Sequence, residues 1–375
     1  MENVDSLNLS DDELRQNEQA RKSSNPQVFN QDVMSSPTFT NEFRVFARPR
    51  PTRTSVATRA IHDQQQDEEP VTVSICGVHE NTGHENAKSA YAVWYGENDP
   101  RNITRRTKGN SQTKEAGEYQ AILETLSQTP DRAKLQVNVT LAHVRSMLTS
   151  HLPRNEDNGW IGVPNDEILR ELVATLRARR GRTIIGKIHD QAVRLKTKEL
   201  AKVSLTSENQ EERPHLEPPE AFLVTGVRLS QATQSTLYKG ILRQKTPPER
   251  AASTLNLGIT RACVEELTKN SPTNQKIWNS LRSKNFPPKI RAFLWKAMHS
   301  AYKVGKYWLH IPSFEQRGLC HACENVEESM EHILTECKAS GQEVIWNLAK
   351  ELWALRGLPW IKPRFGTILG SDGHG

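Results

Sequence analysis

At 375 residues the chain has length for about two domains plus tails. Its hydrophobic fraction of 35% and mean hydropathy of −0.67 are low for a chain packed from end to end, so part of it is expected to stay solvated. The 50 Lys and Arg against 44 Asp and Glu leave a net charge of +6, a mild excess that suits a polyanionic partner. No apolar run approaches the roughly 18–20 residues of a bilayer span. Met1–Ser6 does not read as a signal peptide, so an intracellular protein of nucleus or cytoplasm, with no membrane partner, is expected.

Residues 1–70 are polar and interrupted by proline, and read as a disordered tail; the short apolar patch Phe43–Phe46 is expected to be solvated with it. A first domain over 71–204 opens with the alternating run Val71–Gly77 and a second strand-like run, Ser89–Gly96. A helix over 115–127 places Tyr119, Ile122, Leu123 and Leu126 on one side, and Pro130 stops it. Leu135, Val137 and Val139 alternate as a core strand. A short helix near 142–150 follows, and then a polar loop to Trp160. Asn165 is placed to cap a helix with the stripe Ile168, Leu169, Leu172, Val173 and Leu176. Thr183–Ile188 is a last strand leading to His189 and Asp190. Residues 205–274 read as a helical connector, 275–360 as a second, mainly helical module, and 361–375 as an irregular tail. No internal repeat is present.

This order of elements resembles a type 1 ribonuclease H, close to the domains carried by fungal non-LTR retroelements. The stretches that carry the resemblance are Ala90–Asn102, Gln112–Thr113 ahead of Glu118, and Leu148–Val163. It implies an α/β fold, a ribonuclease H-like mixed five-stranded sheet with flanking helices. It also implies cleavage of the RNA strand of an RNA–DNA hybrid with Mg²⁺ held by four acids. Carried over residue by residue, the first acid position holds Cys76, the second holds Glu118 and the third holds Thr140. No Asp falls at the fourth position, and His189 and Asp190 are the nearby residues that could substitute. One clear carboxylate of four is a poor match to a hard cation that wants oxygen ligands, so Mg²⁺ is expected only if activity persists. Lys108, Lys114, Arg145, Arg154 and arginines 177, 179, 180 and 182 are, as a group, compatible with salt-sensitive hybrid or duplex binding.

Cys320 and Cys323, then His332 and Cys337, have the spacing of a structural zinc site. The first two grip from a tight turn, and the second pair is expected on one face of a helix. The residues from Ile277 to Cys337 resemble the zinc-binding domain found with reverse transcriptase and ribonuclease H segments in retroelements. Lys289, Arg291, Lys296, Lys303 and Lys306, interleaved with Phe293, Trp295, Tyr302, Tyr307 and Trp308, make a basic, aromatic surface candidate; Phe293 and Trp295 are read as core. The whole reads as a piece of a retroelement-derived (retrotransposon) protein, without the reverse transcriptase expected ahead of both parts. The leading expectation is a nucleic-acid-binding protein descended from ribonuclease H with a degenerate active site and hydrolysis lost or impaired. The alternatives are an active hybrid endoribonuclease and an interaction scaffold without nucleic acid.

Overall fold

The computed structural model describes residues 11–22, 26–31, 43–47, 70–206, 220–245, 248–357 and 359–371. The chain forms two compact units, one of residues 1–82 and 88–246, the other of 83–87 and 247–375.

In the first unit, helix α1 (Asp11–Lys22) and strand β1 (Gln27–Val28) precede β2 (Arg44–Val45) and the long central strand β3 (Val71–Glu80). Then come β4 (Lys88–Trp94), β5 (Ile103–Arg106), α2 (Lys114–Gln128), β6 (Leu135–Val139), α3 (Ala142–Leu148), α4 (Leu152–Asp157), α5 (Asp166–Ala178), β7 (Thr183–Lys187) and α6 (Gln191–Thr206). The strands lie in the order β1-β7-β6-β3-β4-β5. β3, β4 and β5 form an antiparallel meander, whereas β6 and β7 run parallel to β3. This is the ribonuclease H-like mixed sheet with flanking helices, enlarged from five strands to six by β1.

The sheet's pleat sorts its two faces. Val73, Ile75, Tyr91, Val93, Val137 and Val139 point into the main core with Tyr119, Ile122, Leu123, Leu172 and Leu176. Cys76, Val78, Ala90 and Ala92 point to the other face, where Ala201 and Leu205 of α6 cover them. α2 is buried along almost its whole length, from Ala116 to Leu126. It lies that close because of two glycines: a Cβ on Gly77 would sit 2.2 Å from the Lys114 carbonyl oxygen, and the position of a Cβ on Gly117 lies 3.3 Å from the Gly77 Cα.

Several expectations change. Part of the segment read as a disordered tail is folded. Asn17 of α1 pairs both ways with Val28, and β1 adds to the β7 edge. Phe29 enters the main core, and Gln31 donates to the carbonyls of Arg179 and Gly181. The Phe43–Phe46 patch is likewise docked, with β2 paired to β8 (Val227–Arg228). Sheet edges expose unpaired N–H and C=O groups, and two-residue strands with one anchoring aromatic cover them without any periodic signal. Asn165 occupies the N-cap position of α5 in a left-handed conformation, φ 59°, and its side chain accepts from Ser111 rather than capping.

In the second unit, α8 (Ala251–Thr268), α9 (Asn274–Ser280), α10 (Pro288–Met298), α11 (Lys306–Leu309), α12 (Gln342–Ala354) and α13 (Phe365–Leu369) follow α7 (Gln234–Gln244) of the first. Residues 205–274 are therefore not one connector: α7 and α8 belong to different units. Residues 361–375 are not wholly irregular either. Phe365 and Leu369 pack with Leu257, Ile277, Leu281, Leu294 and Met298. α12 forms as its period suggests, yet Val344, Leu348 and Leu352 are exposed, because Trp346 is the side chain turned inward, its Nε1 donating to the Leu334 carbonyl.

Candidate functional site

Parallel pairing of β3 with β6 sets the first site. Val71 lies opposite Leu135 and Ser74 opposite Asn138, so the same register brings Cys76 level with Thr140. Their side chains meet, with Sγ 4.0 Å from the Thr140 hydroxyl. Glu118 closes the third side from α2. Its carboxylate accepts from the Thr140 hydroxyl, from the Thr140 N–H at 3.2 Å and from the Leu141 N–H at 3.3 Å. Glu118 is fully buried.

Burial is the dominant electrostatic influence at this site. It pushes the Glu118 carboxyl up to about 7, against the opposing pull of the Thr140 hydroxyl and the Leu141, Thr140 and Gly77 N–H groups. Burial, followed by the charge of Glu118, pushes the Cys76 thiol up to about 11. Near neutral pH the site is thus a neutral thiol, a hydroxyl and a carboxyl held well above its ordinary range and already committed to donors from Thr140 and Leu141.

His189 and Asp190 are exposed on the link between β7 and α6. Asp190 accepts from the Ala192 N–H at 2.7 Å and the Val193 N–H at 3.5 Å, which makes it the cap of α6. The positions that do face Cys76 from that helix are Arg194 and Lys198, whose charges act to lower its thiol. In the sequence they are only two cations four residues apart on a helix. The residues present do not fit Mg²⁺. A hard cation needs about six oxygen ligands, and here one carboxylate is tied up by donors while the charges of Arg194 and Lys198 act on Cys76 beside it.

The arginines grouped as phosphate contacts separate. Arg177 is buried in a bidentate pair with Glu156, and buried Arg179 donates to the Ala133 carbonyl. Arg145 is buried as well, and Trp160 is core. Lys108, Lys114 and Arg154 remain on the surface.

The second site is built by a turn and a widened helix. Leu319 pairs with Glu327 across a tight reversal, which holds Cys320 and Cys323. His332 and Cys337 are five residues apart. On an α-helix that is about 140° of rotation, so they do not share a face. The chain instead makes one π-helical turn over His332–Glu336, with the Cys337 N–H bonded to the His332 carbonyl at 2.7 Å. The expected helical face is therefore corrected to a π turn, which brings the two ligands together.

Cys337 Sγ lies 3.7 Å from Cys320 Sγ and 3.8 Å from Cys323 Sγ. These are not disulfide distances. Thiolates at about 2.3 Å from one tetrahedral zinc stand about 3.8 Å apart. All four ligand atoms fall within 4.8 Å of one another. Both ring nitrogens of buried His332 lack a hydrogen-bond partner, although Nδ1 is 3.5 Å from the Glu336 carboxylate. The Ala322 backbone N–H is the foremost influence that pulls the Cys320 thiol down to about 6, toward the thiolate a metal requires. Cys320, Cys323, His332 and Cys337 fit zinc and leave no open position for chemistry.

Residues 260–346 match the family described as zinc-binding in reverse transcriptase. The match starts inside α8, upstream of position 275. A search of curated proteins finds no match. A solved structure described as LC9-RNase H1, a type 1 RNase H with the type 2 active-site motif, is 12% identical; it covers 47% of this chain and 87% of its own, with a TM-score of 0.29. Strand order and register, rather than this overlay, define the fold of the first unit. Among the described residues no helix is long and apolar enough to cross a membrane. The first unit thus has a ribonuclease H-like fold, and residues 260–346 of the chain are similar to the zinc-binding family of reverse transcriptases.

Proposed function

We propose that this is a nucleic-acid-binding protein of retroelement descent whose ribonuclease H-like domain no longer hydrolyses RNA–DNA hybrids. One observation carries the reading: the only carboxylate at the ancestral metal position, Glu118, is buried and bound by Thr140 and Leu141, with the Cys76 thiol beside it. Burial favours the protonated carboxyl against the pull of those donors, and the nest offers no oxygen cage for Mg²⁺. Arg194 and Lys198 put positive charge near Cys76, which favours phosphate without activating water. The zinc site contributes folding energy to the second domain and no catalysis.

The test is a hybrid cleavage and binding assay on the full chain with Mg²⁺ or Mn²⁺. Salt-dependent hybrid binding with no turnover is the expected result. Turnover abolished by Glu118→Gln would reinstate the active enzyme. Absence of hybrid binding at moderate salt would favour the scaffold reading.

A further inference from the structure

The second unit contains a pocket that the zinc site does not use. It is open, about 290 Å³ in volume, and lined by Leu281, Arg282, Pro288, Arg291, Ala292 and Trp295. Trp295 is 40% exposed, contrary to its reading as core. Its ring is held from the side by Trp278, centroids 5.3 Å apart, and edge-on by His299 at 4.6 Å. Arg282 lies 5.3 Å over the ring and is itself exposed. Buried Nε of Arg291 has no hydrogen-bond partner.

The surrounding sequence is unusually one-sided in charge. From Leu267 to Phe314 there are nine Lys and Arg residues and not one Asp or Glu. A chance solvated surface in a chain with 44 acids would carry several over that length. A rigidly held aromatic face, two guanidinium groups at its margin and an acid-free stretch of chain carrying them are the parts of a site for an unstacked base with its phosphates. Bases in a duplex have both faces covered by neighbours, so the exposed indole favours a single strand. The pocket is too small for more than about one ring system.

We propose that the zinc-binding domain takes single-stranded nucleic acid, one base stacking on Trp295 and the adjoining phosphates held by Arg282 and Arg291. This rests on the nucleic-acid reading for the class of partner and adds the strand state and the place. Lys284 and Lys289, both exposed, adjoin Arg282 and Arg291 in the chain and add positive charge to the stretch. Stacking tolerates every base, so little sequence preference follows.

The experiment uses the full zinc-loaded chain, with labelled oligothymidylate and oligouridylate as single strands and an RNA–DNA hybrid for comparison. Trp295→Ala should weaken single-strand binding about tenfold or more, Trp295→Phe should keep most of it, and hybrid binding should be unchanged. Arg282→Gln with Arg291→Gln should make the salt dependence shallower by about 1.4 in log–log slope. Because Trp278 and His299 pack on Trp295, melting curves and zinc content check the alanine variant; should it fail to fold, the arginine pair carries the test alone. Unchanged affinity and slope in the arginine variant, with hybrid binding intact, overturn this inference and leave the first domain's reading standing. A wild-type chain that binds neither single strand nor hybrid overturns both, as expected of a pocket made for an acidic protein segment.

Discussion

Cys76 and Thr140 face each other from parallel strands, the thiol sulfur 4.0 Å from the hydroxyl, and the Thr140 hydroxyl also donates to the buried Glu118 carboxylate. Glu118 is thereby a buried acid surrounded by donors. The consequences can be measured.

Glu118 should make the first domain less stable as pH rises. Its folded value, about 7, lies above its ordinary 4.5. Between those values the folded state holds the proton more tightly than the unfolded one, so stability falls with increasing pH across that window and levels off above it. Glu118→Gln keeps the shape and removes the titration. Chemical denaturation at pH 5 and pH 8 should show wild type losing on the order of 2–3 kcal/mol relative to the variant. Parallel pH profiles would show that Glu118 titrates normally.

The Cys76 thiol should be inert in the native protein. Burial raises it to about 11, so almost no thiolate exists at pH 8. Iodoacetamide labelling read by mass spectrometry should leave Cys76 unmodified until denaturant is added. Rapid native labelling would contradict the closed nest.

Arg177 and Arg180 look alike in sequence and should behave oppositely. Arg177→Met strips the partner from buried Glu156 and should cost about 3–5 kcal/mol. Arg180 makes a half-exposed pair with Asp131, so Arg180→Met should stay within about 0.5 kcal/mol. Equal effects would mean that the Glu156 pair is not buried in solution.

Zinc removal should unfold one domain only. The folded chain should hold one zinc, and chelation should abolish hydrogen-exchange protection near 310–345 while 71–206 keeps its own. Cys323→Ser should lose the metal. An unchanged melting curve with chelator would argue against the site.

Gly77→Ala should destabilise the first domain by at least about 2 kcal/mol in denaturant titration, because the added Cβ meets the Lys114 carbonyl, backbone that cannot swing away. A neutral effect would mean that α2 sits farther from β3.

The amino-acid sequence determined the order of the main strands and helices between Val71 and Ile188, the absence of acids at 76 and 140, and the identity of the four zinc ligands. These are local facts, carried by period, residue type and short spacing, and they can be read without knowing what lies opposite. Only the tertiary structure decided what each group meets. Register between β3 and β6 turned Cys76, Glu118 and Thr140 into one closed cluster, and the start of α6 turned Asp190 into a cap. Burial divided arginines that share a spacing into structural and exposed ones, and a π turn, not an α-helical face, aligned His332 with Cys337. Trp295 shows the same limit: helical spacing marks it as apolar, but exposure and an arginine over its ring depend on the packing of Trp278 and His299 beside it. Contacts between residues far apart in the chain are set by packing energies summed over the whole core, and no window of sequence contains that sum.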